Sequence, residues 1–140
     1  MKQSFFKIEL VKNKLLSTIN ELSVIDSQKI REQFNTIFIT SNSKVDYEWE
    51  NFKHPFEKID DICWLNLLKV FFELKITEKS QIYLMFNKRD DSIIYSTQCL
   101  YLKEILDLAW FPSQDLYLID YHMNWCIALT HHDFFLIVAL

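Results

Sequence analysis

Apolar residues recur along the N-terminal stretch at three- and four-residue intervals. Phe5, Ile8, Val11, Leu15, Ile19 and Leu22 share one side, with Lys7, Lys12, Lys14 and Glu21 opposite. That period predicts an amphipathic helix over 5–22. Asp26 offers an N-cap for a second helix carrying Ile30, Phe34, Ile37 and Phe38, and the two are expected to form a helical hairpin. The period lapses in "TSNSKVDYEWENFKHP" (40–55), a polar loop with a short alternating stretch inside it.

Residues 61–74, "DICWLNLLKVFFEL", are apolar almost all round. After Asp61 only Asn66, Lys69 and Glu73 interrupt them, as one thin stripe, the pattern of a helix largely buried among other elements. "QIYLMF" (81–86) and "IIYSTQ" (93–98) are β-branched and aromatic, and the turn-rich "NKRDDS" between them predicts a hairpin. Thr97 is placed to cap a helix over about 99–109 that stops before Pro112. "DLYLID" (115–120), "WCIALT" (125–130) and "FFLIVAL" (134–140) read as three further strands, whose short links predict an antiparallel meander. The expected architecture is α+β: N-terminal helices, then an antiparallel sheet of about five strands with helices packed on it, in one domain spanning 1–140.

Composition narrows the function. Half of the residues are apolar and 16% are aromatic, enough to build a core. Glycine is absent altogether, although average usage of ~7% would supply about ten. A P-loop, a dinucleotide-binding fingerprint and a G-x-S-x-G nucleophile elbow all need glycine and are therefore excluded. Cys63, Cys99 and Cys126 are odd in number and embedded in apolar runs, which suits buried free thiols in a reducing compartment better than a disulfide framework. Charge interrupts "MKQSFFKIELVK" before a signal-peptide core forms, and "FFLIVAL" is too short to span a bilayer. The expected location is cytoplasmic, with no membrane association.

The net charge is −4 and unevenly spread. Beyond Lys103 there is no Lys or Arg, whereas Glu104, Asp107, Asp115, Asp120 and Asp133 remain. Without a cationic stripe nucleic acid is not an expected partner, and a basic protein fits better.

The densest candidate chemistry is His131, His132 and Asp133. Consecutive residues on an extended chain point to opposite faces, so the two imidazoles do not face one ion unless the turn twists them together. In a chain without glycine, Asn, Asp and His best tolerate the positive-φ positions of tight turns. The favoured reading of "THHD" is thus a hairpin turn; partner contact and metal or catalytic chemistry are the alternatives. No catalytic, metal or cofactor site is expected. In "VDYEWEN" (45–51), Asp46, Glu48 and Glu50 alternate with Tyr47 and Trp49, so an extended conformation presents one acidic and one aromatic face. These residues are candidate partner contacts, although Trp and Tyr anchoring the loop to its own core leave the same letters. Asp120, Tyr121 and Asp133 are second candidates.

The order "WLNLLKVFF", hairpin, "LYLKEILDLAWFP", "DLYLIDYHMNWCIALTHHDFFLIV" over about 61–140 resembles small bacterial toxin-immunity proteins of contact-dependent or other polymorphic toxin systems. The resemblance implies a non-catalytic protein that binds a cognate toxin domain and occludes or distorts its active site, as a monomer or weak dimer when free. Carboxylates offered to a basic cleft would mimic phosphate and steer association. Two other readings stand beside it: a small metal-dependent hydrolase using His131, His132 and Asp133 with His54, His122 or Cys126, and a structural or adaptor subunit.

Overall fold

Alternation decides the middle of the molecule. In the computed structural model, which describes residues 5–40, 48–109 and 114–140, the chain forms β3 (Gln81–Phe86), β4 (Tyr95–Gln98), β5 (Leu116–Asp120), β6 (Trp125–Leu129) and β7 (Phe134–Ala139). Side chains at even positions of β3 and β5 and odd positions of β6 and β7, among them Ile82, Leu84, Leu118, Ile127 and Ile137, share one face. Their neighbours Tyr83, Met85, Tyr117, Ile119, Cys126, Ala128 and Val138 share the other. Both sets are buried. A strand hidden on both faces reads as a near-continuous apolar run, because water touches neither side.

Helices cover the two faces unequally. On the first lie α1 (Phe5–Lys12), α3 (Trp64–Glu73) and α4 (Leu102–Ala109), through Phe6, Leu10, Leu67, Val70, Phe71, Leu102 and Ile105. On the second lies α2 (Val24–Phe38), through Phe34 and Phe38, with Trp49 and Phe52 packed beside it. Burying one such side chain is worth about 1.5–3 kcal/mol, so each face is held by several independent contributions.

The coarse α+β architecture holds, but among the described residues the sheet has seven antiparallel strands in the order β1-β4-β3-β5-β6-β7-β2, not about five. The two additional strands are its edges, β1 (Ile19–Glu21) and β2 (Glu57–Asp60). Both are short and mostly exposed, so they carry no run of buried apolar residues. The central hairpin and the C-terminal meander pair antiparallel as expected. Among the described residues no helix is long and apolar enough to cross a membrane.

The N-terminal expectation needs correction. The 5–22 helix ends at Lys12, and after a 3-10 turn at Leu16–Thr18 the chain becomes β1. It buries Phe6 and Leu10 while Phe5 and Val11 are exposed. The apolar spacing continued across the break because Ile19 serves a strand. There is no helical hairpin: α1 and α2 lie on opposite faces of the sheet, and β1 carries the chain past its edge. The N-cap of α2 is Ser23, which accepts a hydrogen bond from the Asp26 backbone N–H at 3.0 Å. Thr97 caps nothing and donates instead to the Thr18 carbonyl at 2.8 Å. Helix α3 is not buried all round, since Leu65, Leu68 and Phe72 remain exposed, and Cys63 at its N-terminus is an exposed thiol where a buried one is expected, unlike Cys99 and Cys126.

Without glycine, five other residues among those described take positive φ: Lys14, Asp61, Lys75, Met123 and Asp133. Lys14 and Lys75 sit one residue beyond the C-caps of α1 and α3. Each helix closes with a five-apart and a three-apart hydrogen bond, Leu15 to Leu10 with Lys14 to Val11, and Ile76 to Phe71 with Lys75 to Phe72. This is the Schellman motif, whose left-handed residue is ordinarily glycine. An L-residue there costs roughly 1–2 kcal/mol, and glycine's extra freedom when unfolded offsets part of that relief. Lys75→Gly is therefore expected to raise stability by about 0.5–1 kcal/mol, read as a higher urea midpoint at unchanged m-value. A lowered midpoint contradicts this account.

Candidate functional site

Asp115 precedes β5 and is completely buried. A buried carboxylate needs donors, and four reach it. His131 contributes its backbone N–H and its ring Nδ1, both at 2.8 Å to Oδ1, while Trp49 Nε1 at 3.0 Å and Asn87 Nδ2 at 3.1 Å donate to Oδ2. A carboxylate only accepts, which assigns the His131 proton to Nδ1. These donors come from the 3-10 turn at Glu48–Asn51, the end of β3 and the β6–β7 turn, so one side chain ties three segments to the start of β5.

The network extends along the second face. The Tyr117 hydroxyl accepts from the Trp49 backbone N–H at 3.1 Å and donates to Glu48 Oε2 at 3.4 Å. Glu48 Oε1 lies 3.6 Å from Nη1 of the buried Arg31, whose Nη2 donates to the Phe86 carbonyl at 3.1 Å. Burial pulls the Arg31 pKa down from its ordinary value, against opposing pulls from Glu48, Tyr117 and Asp91. Burial also pushes the Tyr117 phenol well up, with Glu48 and Asp115 adding to the shift.

The expected triplet is a turn, and Asp133 takes its positive-φ position with φ 62°. His131 and His132 do not diverge, however. In the turn their rings come to a centroid separation of 3.9 Å, because the chain there is not extended. Among the described residues no group of three or more His, Cys, Asp or Glu is placed to hold a metal ion. His54 is held on the Ile37 carbonyl at 2.8 Å, His122 lies at the opposite end of β5 and β6 beside Tyr121, and Cys126 is buried within β6. An Asp that holds an imidazole by Nδ1 is the orienting half of an acid–base dyad. Here the Asp115–His131 pair also fastens a turn to the sheet.

Asp46 and Tyr47 lie outside the described residues. Glu48, Trp49 and Glu50 are not extended but form a 3-10 turn, so these three do not alternate between an acidic and an aromatic face. Trp49 turns inward and meets Phe134 edge-to-face at 5.5 Å, an anchor to the protein's own core. Glu50 and Asp133 are exposed at this end of the sheet. Asp120 and Tyr121 lie at the other end, a strand length of roughly 17 Å away. There Asp120 accepts from the Asn124 backbone N–H at 3.0 Å, and Tyr121 stacks on Tyr83 at 5.1 Å. Sequence reasoning missed Asp115 as a centre and Arg31 as a buried cation. The one available signal was an acidic residue placed directly before an apolar strand.

Asp115→Ala leaves three segments' donors without an acceptor, each costing about 1–3 kcal/mol. The expected loss is on the order of 3–5 kcal/mol in urea denaturation, as for other broken buried pairs, and a loss below about 1 kcal/mol contradicts the tethering role. Trp49→Phe keeps the packing and is expected to cost less.

Alkaline pH gives a second check. Burial, helped by Asp120, pushes the Cys99 thiol from 9.0 up to about 11, and burial pushes Cys126 up as well. Unfolded thiols ionise at their ordinary value while folded ones keep their protons. Their stabilisation is complete below about pH 9 and is lost as pH rises toward and beyond 11. The urea midpoint is expected to fall across that window, less steeply in Cys126→Ala; equal slopes contradict the assignment.

No protein-family model, curated protein or solved structure matches this chain.

Proposed function

We propose that this protein is a non-catalytic immunity protein that binds a cognate bacterial toxin domain and blocks it. The observation that carries the reading is the outer face of α3. Leu65, Leu68 and Phe72, spaced i, i+3 and i+7, point away from the sheet with relative exposures of 62%, 43% and 85%. Three large apolar side chains on one exposed helical stripe are the kind of patch that a partner covers. Nothing in the packing of α3 requires them, since Leu67, Val70 and Phe71 already face the core.

The toxin assignment rests on the resemblance of residues 61–140 to immunity proteins, and the charge layout supports it. Glu50 and Asp133 are exposed carboxylates at one end of the sheet, and carboxylates steer association with a basic cleft. Trp49 is an internal anchor in this reading, so apolar contact falls to α3.

On this reading the neighbouring gene is expected to encode the C-terminal end of a large secreted protein, and the test is co-expression with that domain. Cells carrying both are expected to survive where the domain alone kills. Phe72→Asp, at an exposed position, is expected to weaken binding by about 2 kcal/mol or more, roughly 30-fold, without changing the urea midpoint. No rescue by the wild-type chain overturns the proposal. A stable homo-oligomer in solution whose contact is abolished by Phe72→Asp favours the adaptor reading instead.

A further inference from the structure

The second edge of the sheet is open. β2 pairs with β7 on one side and, among the described residues, has no strand on the other. Among the described residues, no backbone hydrogen bond reaches Glu57–Asp60 from that outer side. Such an edge is a template for another strand.

Beside this edge runs a groove of about 260 Å³, bounded by Phe56, Glu57, Val70, Glu73, Leu74 and Ile137. That is below the roughly 300–1,000 Å³ of small-molecule sites, so it suits a side chain rather than a whole ligand. Its chemistry is split. Val70, Leu74 and Ile137 give it an apolar floor, while Glu57 and Glu73 bring two carboxylates that make no ion pair among the described residues. Neighbouring lysines do not neutralise them. Lys58 is engaged with Asp60 at 3.8 Å and lies over the Phe134 ring at 4.4 Å, and Lys69, one turn before Glu73, makes no ion pair. An apolar trough ending in unpaired carboxylates matches a lysine or arginine, whose stem is apolar and whose head is cationic.

We propose that the open edge of β2 and this groove dock an extended basic segment of a partner protein. The segment adds as a further strand by main-chain hydrogen bonds and lays one lysine or arginine stem over Val70 and Leu74, its charge on Glu57 and Glu73. This is strand addition, in which the backbone supplies affinity and alternate side chains supply selectivity. The inference rests on the reading that the protein acts by binding another protein, and it supplies that reading with a second contact region and a partner chemistry.

The probe is a fluorescein-labelled hexapeptide alternating arginine and valine, with a glutamate–valine peptide of equal length as control. The basic peptide is expected to bind at least ten times more tightly than the acidic one and to slow amide exchange at Glu57–Asp60. Glu57→Gln with Glu73→Gln changes two exposed side chains, leaves the urea midpoint unaltered, and is expected to weaken binding at least tenfold. No binding at millimolar peptide, equal binding of the two peptides, unchanged binding by the double variant, or protection at β1 in place of β2 overturns the proposal. In the co-expression assay, a double variant that protects cells as well as wild type counts against the groove and leaves toxin binding standing. A wild-type chain that fails to protect removes toxin binding and leaves the peptide result to decide the groove alone.

Discussion

A carboxylate without access to water is bearable only when surrounding donors replace the water it has lost, and Asp115 has four of them. Removing such an ion from solvent costs several kcal/mol, while a hydrogen bond to a charged group returns about 1.5–3 kcal/mol. The arrangement breaks even only if all its donors arrive together. That makes the positions of Trp49, Asn87 and His131 mutually dependent, although they are far apart in the chain. It accounts for the inward turn of Trp49, and it explains why two adjacent histidines end in a turn with nearly touching rings. What looks like reactive chemistry in the sequence is first of all a fastening.

The rest of the molecule sorts by which surfaces that fastening and the two-faced core leave over. The interior takes the alternate residues of the central strands and one side of each helix. Among the surfaces left over are the outer stripe of α3 and the unpaired side of β2, one apolar and the other made of backbone groups edged with charge. Both belong to consecutive elements of the chain, Glu57–Asp60 and Trp64–Glu73. A protein partner that covers one lies within reach of the other, and this local concentration of unsatisfied surface weighs toward a binding role.

The legible parts of the sequence were those where burial leaves a periodic mark. "QIYLMF" and the three C-terminal strands were readable because nearly every position, the strand ends apart, faces a packed layer. β1 and β2 were not, because "INE" and "EKID" belong to sheet edges whose stability comes from the neighbouring strand. The N-terminal helix was overextended because Ile19 kept its spacing after the backbone had changed conformation. Of the candidate site, His131 and Asp133 were placed in the right turn. The acceptor holding His131 lies sixteen residues away in sequence, a pairing that no local pattern encodes. The exposed stripe on α3 was misread for a related reason: an all-apolar helix predicts burial, and the sequence does not say whether its covering layer belongs to the same chain.

The left-handed corners bear on how this chain finds its shape. Glycine lets a bend form early and cheaply, so that a tight turn can seed the hairpin around it. Lysine, methionine and aspartate resist that geometry until neighbouring structure imposes it, and Met123 sits with its side chain already buried in the second core. These bends therefore supply little local drive of their own, and collapse of the apolar layers is expected to precede their closure.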